Sequence, residues 1–166
     1  MQRLWRLAGK NLENCFYIET SAPLAEEDLA ILRWLLAETF ESEKLKDASF
    51  IDFDPDRVIE IGPRLNFETA FSTNATSICK SCGLRTISRM EKSRRCLLPE
   101  AAVRDLFVSS HHDRMTECLY PSPLQSFETG VKPQAVLTVP LLENSWESSV
   151  LRFTLSLMPL RRRTPS

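Results

Sequence analysis

Short β-type runs that alternate with helix-type segments are the feature of this sequence that most restricts its fold. Residues 15–19 are rich in aromatic and β-branched side chains, and residues 58–62 form an apolar run that ends at a Gly-Pro pair. Residues 85–98 alternate imperfectly between apolar and charged side chains, which favours a long, partly exposed strand, and residues 115–120 indicate a fourth strand. Helical segments separate the four strands. This order predicts an α+β fold in which helices pack on one face of a sheet.

The segment that follows Ser21 is the clearest helix. Acidic residues follow Pro23, where the positive end of a helix dipole favours anions. Apolar side chains then recur at spacings of three and four and share one face: Leu29, Leu32, Leu36 and Phe40. A second helix is predicted to begin near Ser72, Thr73 and Asn74 and to end at Gly83, and a third to begin at Pro99.

Composition restricts the class of partner. The chain has 166 residues, 43% of them hydrophobic, which suffices for one ordinary core. The net charge is −1, which gives no long-range attraction to nucleic acid or to an anionic membrane, and no apolar run reaches the roughly 18 residues that cross a bilayer. The basic start, Met1–Lys10, could form an amphipathic turn of an organellar transit peptide, but we expect a cytoplasmic protein.

Five cysteines, an odd number, favour reduced thiols over a disulfide framework. Cys79 and Cys82 form a Cys-X-X-Cys pair, which alone is unspecific. A small zinc-binding interaction module is therefore kept as an alternative. Its ligands would be Cys79, Cys82, Cys96 and either His111 or His112.

The stretch from Glu60 to Cys79 is the most informative for function. A strand leads through Gly62 and Pro63 to Arg64, and a polar loop leads from there to the second helix. A helix start offers free N–H groups and partial positive charge, so that an arginine and hydroxyl groups beside it can hold a phosphate or a carboxylate. The candidate residues for an anion site or an interface are Arg64, Asn66, Ser72, Thr73 and Asn74.

Four segments in this order resemble the N-terminal domain of large, single-chain phosphoribosylformylglycinamidine synthases. They are residues 62–67 with 72–79, residues 89–98, residues 112–117, and residues 120–143. The resemblance implies a PurS-like α+β domain with an antiparallel-type sheet over residues 1–120, and then the start of an extended linker over residues 121–144. Arg89, Arg94 and Arg95 are further interface candidates, as members of ion pairs.

The family belongs to the ligases and glutamine amidotransferases. It converts formylglycinamide ribonucleotide, glutamine and ATP into formylglycinamidine ribonucleotide in purine biosynthesis. The resemblance implies that this domain holds no catalytic residue, metal or cofactor, and that ATP and Mg belong to the full-length enzyme. The partner that it implies is the synthetase core, which this chain lacks. Without that core and the glutaminase, we expect the chain to be inactive alone.

Residues 145–166 depart from the family pattern. We expect a poorly packed tail there, produced by truncation or by a mistaken reading frame. A third hypothesis is a scaffold that pairs with other subunits through an exposed sheet edge.

Overall fold

An antiparallel sheet of six strands, with three α-helices, makes up the described part of the chain. The computed structural model describes residues 1–38, 40–52, 54–130 and 135. The strands there are β1 (Gln2–Gly9), β2 (Leu12–Thr20), β3 (Leu45–Lys46), β4 (Val58–Pro63), β5 (Ile87–Leu97) and β6 (Glu117–Leu119). The helices are α1 (Glu26–Leu36), α2 (Ala70–Ser81) and α3 (Arg104–His111), and short 3-10 turns occupy Ser42–Lys44 and Ala101–Val103. No helix in this part of the chain has the length and apolar character needed to span a membrane.

The strands lie in the order β3-β1-β2-β5-β4-β6, and each neighbouring pair is antiparallel. This confirms the predicted α+β class and the antiparallel sheet. The four strands that the sequence predicts correspond to β2, β4, β5 and β6. Within Met1–Lys10, where the sequence also allowed an amphipathic turn, residues 2–9 form strand β1, which pairs with β2 and buries Leu4 completely.

All three helices cover one face of the sheet. Phe16, Ile18 and Met90 point to this face and pack against residues of α1 and α2. Ile59 and Ile61 lie on the same face, because their partners on β5 are Cys96 and Arg94, an even number of residues from Met90. They form a second cluster with α3.

The opposite face of the sheet carries side chains that alternate with those of the helix face. Cys15 and Tyr17 are buried there beneath the segment that follows β6, which supplies Tyr120 and Phe127. The rings of Tyr17 and Tyr120 meet edge to face, with centroids 6.0 Å apart. Residues 120–127 therefore complete the fold on the side away from the helices.

The apolar stripe predicted for α1 is correct up to Leu36 and wrong at Phe40. The helix ends at Leu36, and Glu38 takes a left-handed conformation with φ of 52°. The chain turns away there, so Phe40 is 90% exposed instead of lying beside Leu32 in the core. Residues 131–134 and 136–144 of the predicted linker and the tail at 145–166 lie outside the described residues.

Gly62 is required by packing. A Cβ atom at this position would lie 2.5 Å from the Tyr120 ring, whose hydroxyl donates to the Pro63 carbonyl over 2.6 Å. We expect Gly62→Ala to displace Tyr120 and to lower the free energy of unfolding by about 1–3 kcal/mol. Urea unfolding followed by tryptophan fluorescence measures this change.

Gly9→Ala is the matched control, because its Cβ would meet its nearest neighbour, Leu12, at an ordinary 3.7 Å. That variant should match or slightly exceed the wild-type stability, since alanine restricts the unfolded chain. Equal stability of the two variants would contradict the role assigned to Gly62.

Candidate functional site

Two of the segments that carry the family resemblance meet at the β4–β6 edge of the sheet. Pro63 pairs with Glu117, and the Arg64 N–H donates to the Thr116 carbonyl over 2.8 Å. The Arg64 guanidinium donates to the Arg114 carbonyl through Nε at 3.2 Å and through Nη2 at 2.7 Å. We call the surface formed by residues 62–69 and 112–117 the motif junction.

Arg89 holds residues 64–69 of the motif junction in place. Its guanidinium donates to the Leu65 carbonyl over 3.4 Å and also to the Phe67 carbonyl. It bonds the Glu91 carboxylate at 3.1 and 3.0 Å and lies 4.6 Å from the centroid of the Phe127 ring. Arg89 thus links this loop to the segment that follows β6.

Glu91 connects the same network to the start of α2. This carboxylate is only 1% exposed, and it accepts from the Thr69 N–H at 3.3 Å and from the Thr69 hydroxyl at 2.6 Å. Thr69 in turn caps α2 by accepting from the Ser72 N–H. The positive end of the helix therefore already faces a carboxylate of the protein itself.

The prediction that α2 begins near Ser72–Asn74 is wrong by three residues, because the cap is Thr69. Ser72 consequently lies inside the first turn and is fully buried, where its hydroxyl bonds the Glu68 carboxylate and the Met90 N–H. The Thr73 hydroxyl donates back to the Thr69 carbonyl. Among the described residues, no hydrogen bond or ion pair joins Arg64 to Ser72, Thr73 or Asn74.

The three arginines of β5 have different environments. Arg94 reaches the motif junction, where it bonds the Glu117 carboxylate over 2.6 Å and the His111 carbonyl over 3.3 Å. Arg95 points to the opposite face and is only 11% exposed, so its contacts are internal. It pairs with Glu13 and lies 3.5 Å from a carboxylate oxygen of Glu60.

A buried polar network surrounds Arg95 on that face. Glu60 accepts from the Tyr17 hydroxyl at 2.7 Å and from the Ser93 hydroxyl at 2.6 Å, while Glu13 accepts from Ser49 at 2.6 Å. Burial raises the pKa of Tyr17, so its hydroxyl stays a proton donor at neutral pH. Each buried carboxylate thus has partners within the domain.

Four of the described cysteines are not activated as nucleophiles. Burial raises the pKa of the Cys15 thiol to about 12. Burial also raises the pKa of the Cys79, Cys96 and Cys118 thiols. Because the thiolate is the reactive form, these four side chains are poor nucleophiles at neutral pH.

The geometry does not support the alternative of a zinc-binding module. Cys79 faces the core with α1 residues, whereas Cys82 is exposed at the end of α2. Cys96 lines a groove of about 590 Å³ beside α3, and the His111 ring stacks on Phe107 with centroids 4.2 Å apart. No group of three or more His, Cys, Asp or Glu side chains within residues 1–38, 40–52 and 54–130 is placed to hold a metal ion.

Sequence reasoning missed the acidic partners of this site. Glu91, Ser93 and Arg95 stand at every second position, so an alternating strand places them on one face. That period of two was the available signal for a buried polar face. Asp113 and Glu117 gave no comparable signal, because their roles depend on a turn between α3 and β6.

We expect Arg89→Met to destabilise the domain by about 3 kcal/mol or more, because it leaves the Glu91 charge buried without its cation. Chemical denaturation measures the loss. Arg85→Met is the control, because Arg85 is an exposed arginine two residues before β5 begins. Arg89→Met/Glu91→Gln should recover part of the loss, and a loss equal to that of Arg85→Met would contradict the assignment.

The Met115 N–H and the Thr116 hydroxyl, which donate to the Asp113 carboxylate, hold its pKa below the ordinary value. A depressed folded pKa stabilises the turn above the unfolded pKa of about 3.9, and this stabilisation is lost as pH falls through the folded value. We expect the Met115 amide resonance in NMR to titrate with a midpoint below about 3.9.

Asp113→Asn should abolish that titration. Glu117→Gln should retain it, which separates Asp113 from the neighbouring carboxylate that accepts from the Asp113 N–H. A midpoint at or above the ordinary value for aspartate would contradict the proposed bonds.

Comparison with known proteins assigns the same region to one family. Residues 13–127, more than half of the chain, match the family described as "Formylglycinamide ribonucleotide amidotransferase N-terminal". The matched range includes the whole motif junction together with Arg89, Glu91 and Arg94.

Individual relatives agree with the family match. The chain is 44% identical over 144 residues to "Phosphoribosylformylglycinamidine synthase" of Dictyostelium discoideum, which covers 79% of this chain and 11% of that protein. It is 44% identical over 149 residues to "Probable phosphoribosylformylglycinamidine synthase, chloroplastic/mitochondrial" of Arabidopsis thaliana, covering 83% of the chain and 10% of that protein. The corresponding protein of Homo sapiens is 34% identical over 141 residues, covering 80% and 10%. The chain therefore spans about a tenth of the length of these relatives.

Proposed function

Since the chain belongs to the formylglycinamide ribonucleotide amidotransferase N-terminal family, we propose that it acts as the non-catalytic N-terminal domain of a phosphoribosylformylglycinamidine synthase. The reaction of such an enzyme forms formylglycinamidine ribonucleotide from formylglycinamide ribonucleotide, glutamine and ATP, in purine biosynthesis. The domain's part in that reaction is to dock against the synthetase core and to help organise the path of ammonia. It is inactive by itself.

The convergence of the matched segments on one surface carries this proposal. Loop 64–69, the turn before β6 and strand β5 are distant in sequence, yet Arg64, Arg89 and Arg94 tie them together. Four of the residues predicted for the site are exposed at the junction and in the first turns of α2: Arg64, Asn66, Thr73 and Asn74. We propose this exposed set as the docking surface for the synthetase core, with Arg89 and Arg94 positioning it.

An anion site at the α2 start is the weaker interpretation of the same residues. The helix dipole there is already faced by Glu91 and Glu68, which would repel a phosphate. Protein docking requires no free anion pocket. The arrangement therefore favours an interface over a ligand site.

We propose that the catalytic residues of the enzyme lie in its remainder and not in this domain. The buried carboxylates Glu13, Glu60 and Glu91 all have arginine or hydroxyl partners, and four thiols have raised pKa values. We propose that ATP and Mg bind to the remainder, and that neither nucleic acid nor a membrane is a partner of this domain.

We propose the cytoplasm as the location and an organelle as the alternative. The Arabidopsis relative is named as chloroplastic/mitochondrial. In this chain, removal of residues 2–9 as a transit segment would delete strand β1 and the buried side chain of Leu4. That loss of packing argues against a transit role for these residues.

A chimera tests the proposal. Residues 1–130 of this chain replace the matched segment of the full-length Dictyostelium relative, and ammonia-dependent synthesis of formylglycinamidine ribonucleotide is assayed. We expect Arg64→Ala to lower kcat/KM about tenfold, as for one lost interface anchor. The thermal midpoint of the domain should fall only slightly, because the side-chain bonds that Arg64 loses, to the Arg114 carbonyl, are exposed to solvent.

Arg85→Ala is the control for loss of an exposed arginine elsewhere on the domain. Unchanged turnover with Arg64→Ala would remove Arg64 from the docking surface. A chimera that folds but has no activity would argue against the proposed function as a whole.

A further inference from the structure

We propose that the turn Asp113–Thr116 is a preformed docking element, in which Met115 is the apolar anchor and Arg114 the charged anchor. The partner is the part of the synthase polypeptide that follows this domain, and the surface that receives the turn is an apolar socket with a carboxylate at its edge. This inference rests on the proposed function and names the chemistry of its interface.

The turn is built by the side chain at its start. Asp113 Oδ1 accepts from the Met115 N–H at 2.8 Å, and Oδ2 accepts from the Thr116 hydroxyl at 2.7 Å. The Asp113 carbonyl accepts from the Glu117 N–H at 2.8 Å, and the Asp113 N–H donates to the Glu117 carboxylate at 3.0 Å. Both ends of the turn are thereby fixed to each other.

Two arginines from earlier in the chain also hold the turn. Arg64 donates two guanidinium bonds to the Arg114 carbonyl and its backbone N–H to the Thr116 carbonyl. Arg94 fixes Glu117 from the neighbouring strand β5. The backbone on both sides of Met115 is therefore constrained by residues that lie about twenty and fifty positions earlier.

The side chains at the tip of the turn do not pack against the described part of the domain. Met115 is 83% exposed, and the Arg114 guanidinium makes no hydrogen bond or ion pair to any residue in the described ranges. A turn whose backbone is already ordered loses less conformational freedom when it binds. The bonds around Asp113 thus lower the cost of presenting Met115 and Arg114 to another surface.

The exposed pair indicates the chemistry of the partner. Met115 offers an unbranched, polarisable apolar side chain that adapts to a socket, and arginine is enriched among residues that dominate interface energies. Around the turn, Arg94 is paired with Glu117, the Arg64 guanidinium binds the Arg114 carbonyl, and the Asp113 carboxylate accepts from the Met115 N–H and the Thr116 hydroxyl. Arg114 is left as the cation that a carboxylate of the partner would satisfy.

The remainder of the same polypeptide is the occupant that the observations favour. The chain spans about a tenth of its relatives, so the matched region in those proteins is followed by a far larger body. A surface on that body is presented to the turn at high effective concentration, which suits a small two-residue anchor.

The experiment uses the chimera with a protease site inserted directly after Gly130. The complete enzyme folds first, is then cleaved, and gel filtration and titration measure how tightly the domain stays bound. We expect Met115→Ser and Arg114→Glu each to weaken binding about tenfold or more. Met115→Leu should retain binding, because it keeps the apolar volume.

Phe40→Ser and Arg85→Glu are matched controls, since Phe40 is as exposed as Met115 and Arg85 is an exposed arginine away from the junction. Both should bind within about twofold of the wild type. All variants should unfold at the wild-type temperature, because each replaced side chain is exposed.

Three other outcomes overturn the inference. If the wild-type domain stays bound and Met115→Ser and Arg114→Glu bind equally well, the turn is not the anchor, and the proposed function stands. If the control variants weaken binding as much, the interface is not centred on the turn. If the wild-type domain dissociates on cleavage, both the inference and the docking proposal fail.

Discussion

The ion pair between Glu91 and Arg89 is the interaction on which the functional surface depends. Burying a carboxylate that is 1% exposed costs free energy unless it is paired and hydrogen-bonded, so this one side chain requires a cation and donors close by. Arg89 supplies the cation, and Thr69 supplies two donors at the start of α2. The same guanidinium then fixes the carbonyls of loop 64–69. One buried charge thereby sets the positions of a helix start and an exposed loop.

The same requirement explains why residues that suggest ligand binding in the sequence serve structure instead. Ser72 and Arg95 have polar groups suited to an anion, but both are occupied by internal carboxylates or backbone groups. By contrast, the exposed candidate residues lie around a network of buried polar groups that already have hydrogen-bond partners within the domain. Such a division suits a surface for a protein partner, because the framework does not need the partner in order to be ordered.

The sequence predicted the class of fold because period and composition are local signals. Strands β2, β4 and β5 are found from apolar runs, and the buried face of α1 from the spacing of its leucines. Strand β1 was missed, because its basic residues resemble those of a targeting segment. Only its pairing with β2, which the local sequence does not show, identifies it as a strand. The end of α1 was missed because Glu38, rather than a glycine, takes the left-handed conformation.

The site was predictable only in part. The segments around Arg64, Arg89 and His112 were identified separately, but their meeting depends on the pairing of Pro63 with Glu117, which a single sequence does not encode locally. The start of α2 was misplaced because Thr69, Ser72 and Thr73 are all acceptable caps, and only the position of Glu91 selects Thr69.

The contact between Phe127 and Arg89 has a consequence for the order of loop 64–69. Phe127 is buried, and its ring lies against the guanidinium that supports loop 64–69. The segment that follows β6 therefore supports loop 64–69 from the face of the sheet away from the helices. A shorter chain that kept all six strands but ended before Tyr120 would therefore lose one side of the support for that loop.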